Sequence, residues 1–232
     1  MKQKKIFKII IGSIIFITLP TLLLYAFLYL KYNQDLPNGI TGKNADELAD
    51  KMLNSLNYGA YEKTDTFEWT FKNKRHYVWK KNKGICEVYW KQYKITLDFN
   101  DPNNHEASVH SFKVDGELSD ELIDKAEKYY LNDSFWVFGP YQVFNKDVKR
   151  LLVKTENGDQ LLTTHPNGGS YLWQLDENNK PQSFKMWTSE LPIDGLEATW
   201  TSWTTTKTGV TLPTFHKILL LGIEITDIKG VN

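Results

Sequence analysis

Residues 168–203 constrain the fold more than any other stretch, because large apolar side chains alternate there with polar or small ones. An apolar side chain recurs at every second position in three runs, at 171–175, 184–186 and 196–200. The polar residues 176–181 and the pair Asp194-Gly195 separate these runs and are typical of turns. A period of two indicates half-buried strands. The stretch therefore predicts a hairpin and a third strand, in an antiparallel sheet with one apolar face.

Residues 9–30 form a run of 22 residues without a charge. As a helix the run is about 33 Å long, enough to cross a hydrocarbon core of about 30 Å. It is preceded by four lysines: Lys2, Lys4, Lys5 and Lys8. By the positive-inside rule these keep the N-terminus in the cytoplasm. We therefore expect a cytoplasmic stub at 1–8, a single-pass anchor in a bacterial inner membrane at 9–30, a linker at 31–43 and a periplasmic domain at 44–232.

A cleaved signal peptide is the alternative interpretation of this run. The apolar part of a signal peptide has about 7 to 15 residues and ends at small residues. Residues 25–30 are bulky throughout, which favours an uncleaved anchor. The only cysteine is Cys86, so the chain has neither a lipid-modified N-terminal cysteine nor an intrachain disulfide. In a strand-like run, Cys86 is expected to be a small buried thiol.

The net charge of zero conceals a division between the anchor and the rest of the chain. The first 30 residues hold four of the 28 basic residues and none of the 28 acidic ones, which leaves 24 basic against 28 acidic residues beyond them. A mildly acidic outer domain has no electrostatic footprint for nucleic acid. Nucleic-acid binding is therefore excluded as the function.

Two amphipathic helices are predicted in this outer domain. The first begins at Asn44, which forms a capping box with the glutamate three residues later. Its apolar residues follow at helical spacing: Ala45, Leu48, Ala49, Met52, Leu53 and Leu56. The second helix begins at Ser119 and ends at Asn132-Asp133. The four large residues that follow, 135–138, favour a segment that is covered on both sides or lines a pocket.

Further short runs predict strands around these helices. A four-strand meander is indicated by residues 67–71, 77–79, 85–90 and 93–97. Residues 148–153 and 161–164 predict a hairpin around Asn157-Gly158, since this pair accepts the positive φ angles of a type I′ turn. The last strands are predicted at 210–212, 218–221 and 223–228. The chain is thus expected to be α+β and mainly antiparallel, with about ten or eleven strands.

No motif for catalysis or for a cofactor occurs in the sequence, which lacks Gly-x-Ser-x-Gly, Gly-x-Gly-x-x-Gly and Walker patterns. The polar loop 98–108 contains Asp98, Asp101 and His105, and His110 follows it. Carboxylates and histidines can bind zinc or calcium. Their spacing matches no compact ligand motif, so a turn is favoured, and a metal-dependent hydrolase is the third-ranked alternative. No cofactor is expected.

Aromatic residues make up 14% of the chain, which is the more informative signal. Three explanations remain open: a solid core, a cavity for a hydrophobic ligand between sheet and helices, or a surface on which sugars stack. Two helices are few to cover so many strands, which leaves room for a cavity.

Several motifs resemble those of bacterial envelope proteins of unassigned function: NDSFW at 132–136, NG at 157–158, GSYLW at 169–173, DEN at 176–178, KMW at 185–187 and IDGLEATW at 193–200. Those proteins in turn resemble the lipoprotein-carrier superfamily, the LolA-like and LolB-like proteins. The resemblance implies a curved antiparallel half-barrel of about eleven strands, closed by helices around a cavity for acyl chains. The carriers are soluble shuttles and close the cavity with an arginine, whereas this chain is tethered and neither Arg75 nor Arg150 can be matched to that role.

These observations predict a non-catalytic, membrane-anchored binding protein for a lipid, an acyl chain or a lipoprotein. Burial of each methylene would stabilise the complex by about 0.8 kcal/mol, so an acyl ligand needs no polar motif. The predicted lining residues are Trp69, Phe71, Tyr93, Trp136, Phe138, Trp173, Met186 and Trp200. The alternative is an interaction or sensor module with a solid core, which recognises a protein or glycan with its surface.

Overall fold

The structure is a computed structural model that describes residues 2–156, 158–166 and 168–232. Its first element is an apolar helix, α1 (Lys2–Tyr32), which contains Pro20. Residues 4–27 of α1 are exposed, and the helix is long and apolar enough to cross a membrane. A single membrane-spanning helix is thus possible by length and composition, as the sequence predicts.

The rest of the described chain is built on one antiparallel sheet of 14 strands that does not close on itself. The strands are β1 (Thr66–Phe71), β2 (Arg75–Lys80), β3 (Ile85–Trp90), β4 (Tyr93–Asp98), β5 (Glu106–Val109), β6 (Phe112–Val114), β7 (Lys149–Thr155), β8 (Gly158–Thr164), β9 (Ser170–Leu175), β10 (Pro181–Trp187), β11 (Leu196–Thr199), β12 (Ser202–Thr205), β13 (Thr211–Ile218) and β14 (Leu221–Val231). They are ordered β6-β5-β4-β3-β2-β1-β14-β13-β11-β10-β9-β8-β7, and β12 pairs with β13. The α+β class and the antiparallel sheet are confirmed.

The predicted strand count is too low, and one predicted strand is a turn. β5, β6 and β12 were not predicted, because each has only three or four residues. Residues 218–221 are not a strand, since β13 ends at Ile218 and β14 begins at Leu221. The predicted β7–β8 hairpin is present, with Thr155 opposite Gly158. Asn157 of its predicted turn lies outside the described residues.

Two short helices follow, α2 (Lys43–Ser55) at the β7 edge of the sheet and α3 (Tyr58–Lys63), whose Tyr61 ring stacks on Phe67 of the central strand β1. The apolar stripe of α2 is buried as predicted, at Ala45, Ala49, Met52 and Leu53, and it faces β7 and β8. The predicted capping box is wrong. Asn44 lies inside the helix, and the N-cap is Gly42, with no side-chain cap bond.

The long helix α4 (Glu117–Phe138) crosses the sheet from β4 and β5 to β13. We call the face that it covers the covered face and the opposite one the outer face. The predicted end at Asn132-Asp133 is wrong, because the helix continues through residues 135–138. Asp133 is fully buried and is bonded by Arg75 and Tyr77 from β2. The sheet therefore supplies hydrogen-bond donors to a polar side chain that would otherwise end the helix, and the helix can continue past this residue.

Residues 33–42, which we call the anchor segment, connect α1 to α2 along the outer face. The backbone N–H of Gln34 donates to the Asp194 carbonyl (3.0 Å), and its carbonyl accepts from the indole of Trp187 (2.8 Å). Farther along, Ile40 and Leu152 exchange both backbone hydrogen bonds. Part of the predicted linker is thus fixed to the sheet at both ends, rather than surrounded by solvent.

Candidate functional site

The eight predicted lining residues lie together in the main hydrophobic core, between the sheet and the helices. Seven are buried, and the eighth, Tyr93, is partly buried against the same core. The exposed fraction is zero for Trp69, Trp173 and Trp200. These side chains come from β1, β4, α4, β9, β10 and the residue after β11, so the sheet and the helix bring together residues that are distant in sequence.

The aromatic rings in this core contact one another. The Phe138 ring, at the end of α4, packs edge-on to Trp69 at a centroid distance of 5.3 Å. Trp173 packs edge-on to Trp200, also at 5.3 Å. Edge-to-face pairs at these distances are the preferred geometry of packed aromatic cores. These aromatic side chains therefore occupy the space between sheet and helices in which the cavity hypothesis places a ligand. The role of the eight residues in ligand binding stays a prediction.

Two polar atoms in this core have no partner among the described residues. They are the indole N–H groups of Trp69 and Trp200. The corresponding group of Trp173 donates to the Thr163 hydroxyl (3.2 Å). A buried donor without an acceptor costs about 1 to 3 kcal/mol, so these two groups are sites at which an acceptor atom would be stabilised.

A charged cluster fixes α4 to the sheet. The Arg75 guanidinium donates to both oxygens of Asp133, at 2.5 Å and 3.0 Å, and the Tyr77 hydroxyl donates to the same carboxylate. The Asp133 side chain has no exposed surface and that of Arg75 is 17% exposed. Burial lowers the pKa of Arg75, but the contacts with Asp133 and Tyr77 outweigh it and the net shift is upward. Burial and the Asp133 charge raise the pKa of Tyr77, so its hydroxyl remains a donor.

The second arginine fixes α2. Arg150, on β7, donates to the Asp46 carboxylate (2.6 Å) and to the carbonyls of Val143 and Val148 (3.0 Å and 3.2 Å). Each of the chain's two arginines therefore connects a strand to a covering helix. The sequence reasoning missed both roles, because the partners are 58 and 104 residues away.

His216 is the most buried histidine, with no exposed surface. Its ring nitrogens lie 2.9 Å from the Thr199 carbonyl and 2.7 Å from the Trp136 carbonyl. Burial lowers its pKa to about 4, although both carbonyl contacts act in the opposite direction. The ring is therefore neutral near pH 7, and it joins the end of α4 to β13 rather than acting as a proton carrier at the surface.

The polar loop after β4 is closed by its own side chains. The Asp98 carboxylate accepts from the backbone N–H groups of Asn100 and Asp101, which together with neighbouring amides lower the pKa of Asp98. His105 accepts from the backbone N–H of Asp98 and contacts Glu127 of α4 (3.2 Å). Within the described ranges, no group of three or more histidine, cysteine or acidic side chains has the geometry to hold a metal ion. Cys86 is buried as predicted, and burial raises the pKa of its thiol.

A cleft of about 250 Å³ lies on the outer face, between the anchor segment and the sheet, and we call it the outer cleft. It is lined by Gln34, Asp35, Pro37, Val153, Thr155, Gln160, Leu172, Lys185 and Trp187. Its floor includes Val153, Leu172 and Trp187, which belong to a second, smaller hydrophobic cluster. Lys185 donates to the Gln34 side chain across it (2.8 Å). No local sequence pattern indicates this cleft, since its two walls are about 120 to 150 residues apart in the chain.

In comparison with known proteins, no family profile matches this chain, and no curated protein is significantly similar to it in sequence. The resemblance to the lipoprotein carriers therefore stays a prediction that rests on the motifs quoted above.

Proposed function

We propose that this chain is a non-catalytic interaction module that a membrane helix holds outside the cytoplasm, and that it recognises an envelope partner with its surface. The single observation that supports this proposal is the packed core. Residues proposed to line an acyl cavity contact one another, as Phe138 and Trp69 do. A partner then has to be recognised from outside.

The outer cleft is the surface that we propose for this recognition. It combines an apolar floor with polar groups at its edge, the usual composition of binding sites. One wall is the anchor segment, which leads directly into α1. A peptide or glycan that entered the cleft would contact the sheet and the anchor segment at the same time. A sensor module needs this arrangement.

The proposed location follows from charge. Lys2, Lys4, Lys5 and Lys8 precede the apolar part of α1, and Lys31 follows it. An excess of lysine before the span favours a cytoplasmic N-terminus, so the sheet would lie in the periplasm beside a bacterial inner membrane.

Site-specific photo-crosslinking in intact cells tests the proposal. A benzoyl-phenylalanine is placed at Asp35, an exposed position of the outer cleft, and at Asn178, an exposed position on the β9–β10 turn as the matched control. We expect one discrete adduct from position 35 and none from 178. The adduct should be lost when Trp187 in the cleft is replaced by alanine, and retained when Trp200 in the core is replaced by phenylalanine. Identical adducts from both positions, or none from position 35, would contradict the proposal.

A second candidate is the half-barrel that binds a lipid, an acyl chain or a lipoprotein between sheet and helices. The unpartnered indole groups of Trp69 and Trp200 support it, because a ligand carbonyl could accept from them. Entry of a ligand would require α4 to move, and thus the Arg75–Asp133 contact to break. In this case the double variant Trp69→Phe and Trp200→Phe should lose binding of a fluorescent fatty acid while remaining folded. Unchanged binding in that variant would exclude the two indole groups as its site.

A further inference from the structure

The turn between β13 and β14 exposes adjacent leucines. Leu220 is 94% exposed and Leu221 is 68% exposed. Leu219 completes the tip, and the Phe215 ring lies over Gly222 directly behind it, 2.9 Å from where a Cβ on this glycine would be. Single exposed leucines are ordinary, but adjacent ones on a protruding turn indicate a contact surface. We call residues 219–221 the leucine tip.

The residues of this turn are unusual for its geometry. Ile218 pairs with Leu221, so the loop has two residues, Leu219 and Leu220. Two-residue hairpin loops favour asparagine or glycine, because these accept positive φ. Leu219 has a φ of 52°, which leucine rarely adopts. Local turn preference therefore does not explain leucine at these positions.

The leucine tip lies at the same end of the sheet as the end of the membrane helix. Loop 188–195 joins β10 to β11, and β13 is the next strand, antiparallel to β11, with Ala198 opposite Ile218. The β13–β14 turn is therefore at the end where β11 begins, one strand spacing of about 5 Å away. The Tyr25 hydroxyl of α1 donates to the Pro192 carbonyl in loop 188–195 (3.2 Å).

This contact fixes the height of the sheet above the bilayer. Tyr25 belongs to the uncharged run 9–30, five residues before its end, which is about 7.5 Å inside the run along the helix axis. Tyr29 and Tyr32 follow, and tyrosine is enriched where a membrane meets water. Loop 188–195 must therefore lie at the membrane interface, and the neighbouring leucine tip lies beside it.

We propose that the leucine tip inserts into the interface of the membrane that α1 crosses, so that the sheet rests on the bilayer at two points. The β1–β2 turn next to the tip carries Lys72 and Lys74, whose long side chains can reach lipid phosphates. Glu224, three residues after Leu221, accepts from the Asn73 side chain in this turn (3.0 Å). The inference needs only the anchoring of α1 and is independent of the partner that the outer cleft binds.

Fluorescence quenching in nanodiscs tests this inference with the full chain. Leu220→Cys carries an NBD label at the tip, and Asn178→Cys carries it on the β9–β10 turn, at the opposite end of the sheet. The wild-type chain gives the labelling background, since its one cysteine is buried. Nanodiscs of phosphatidylcholine and phosphatidylglycerol contain a lipid with a nitroxide near the headgroup, and iodide serves as the quencher from the water.

We expect the nitroxide lipid to quench the label at position 220 strongly and to leave that at 178 at background. Iodide should show the reverse order, and the emission at 220 should be shifted to the blue. Equal quenching by iodide at both positions, with none by the lipid, would overturn the inference. A label at 220 that neither quencher reaches would also overturn it, because another protein surface would then cover the tip.

Discussion

Replacement of Arg75 by methionine tests the contact that holds α4 on the sheet. The variant leaves the Asp133 carboxylate, which has no exposed surface, with Tyr77 and Asn132 as its partners among the described residues. Removal of one member of a buried ion pair costs about 3 to 5 kcal/mol. Since 17% of the Arg75 side chain reaches solvent, we expect the lower part of this range, about 3 kcal/mol of unfolding free energy.

A double-mutant cycle separates the ion pair from general packing. Asp133→Leu alone leaves the arginine without its acceptor, and the double variant Arg75→Met with Asp133→Leu removes both charges. The double variant should be more stable than the sum of the two single losses predicts, by about 2 kcal/mol.

The assay is urea unfolding of the full chain in a mild non-ionic detergent, followed by tryptophan fluorescence. With a slope of about 2 to 3 kcal/mol per molar urea, Arg75→Met should lower the midpoint by about 1 M or slightly more. Lys229→Met is the matched control, because it breaks a surface pair with Glu68 and should leave the midpoint unchanged. The reasoning is refuted if Arg75→Met behaves like the control, or if the losses in the cycle are additive.

Three further predictions concern other contacts. Arg150→Met should cost less than Arg75→Met, about 1 to 2 kcal/mol in the same urea assay, because its partner Asp46 is 47% exposed; an equal loss would contradict this ranking. Gly39→Val should detach the anchor segment, since a Cβ at Gly39 would lie 2.7 Å from that of Leu151; hydrogen exchange at the Ile40 amide should rise, and unchanged protection would argue against it. Burial sets the pKa of His216 at about 4, below the usual value of about 6.5, so the unfolded state binds a proton first as the pH falls and stability declines between these two values. Between pH 7 and pH 5 the wild type should lose about 2 kcal/mol more unfolding free energy than the His216→Gln variant loses. Parallel pH profiles of the two proteins would refute this.

The sequence was sufficient where local pattern decides the structure. Alternation identified β1 to β4 and the hairpin of β9 and β10, and helical spacing identified the buried stripe of α2. It failed at Asp133, where the local preference for a helix end is overridden by Arg75, a residue on a strand far away in the chain. It also missed β5, whose four residues have no large apolar face.

The candidate site depended even more on tertiary structure. The alternation of apolar residues placed Trp173 and Trp200 on an apolar face of the sheet. Alternation alone does not indicate whether a ligand or α4 fills the space above them. The anchor segment contains Pro37 and Gly39, which are typical of a linker, and its position on the outer face is set by Trp187 and Leu152. Such contacts between distant segments are invisible in local composition.

Native mass spectrometry of the full chain tests the packed core most directly. The protein is purified from the envelope of its own host in mild detergent, released from the micelle in the gas phase, and compared with the Trp69→Phe, Trp200→Phe double variant. We predict that both proteins have the mass of the bare chain, or carry the same adducts on α1. A stoichiometric adduct of acyl-chain mass that the wild type carries and the double variant lacks would contradict a solid core.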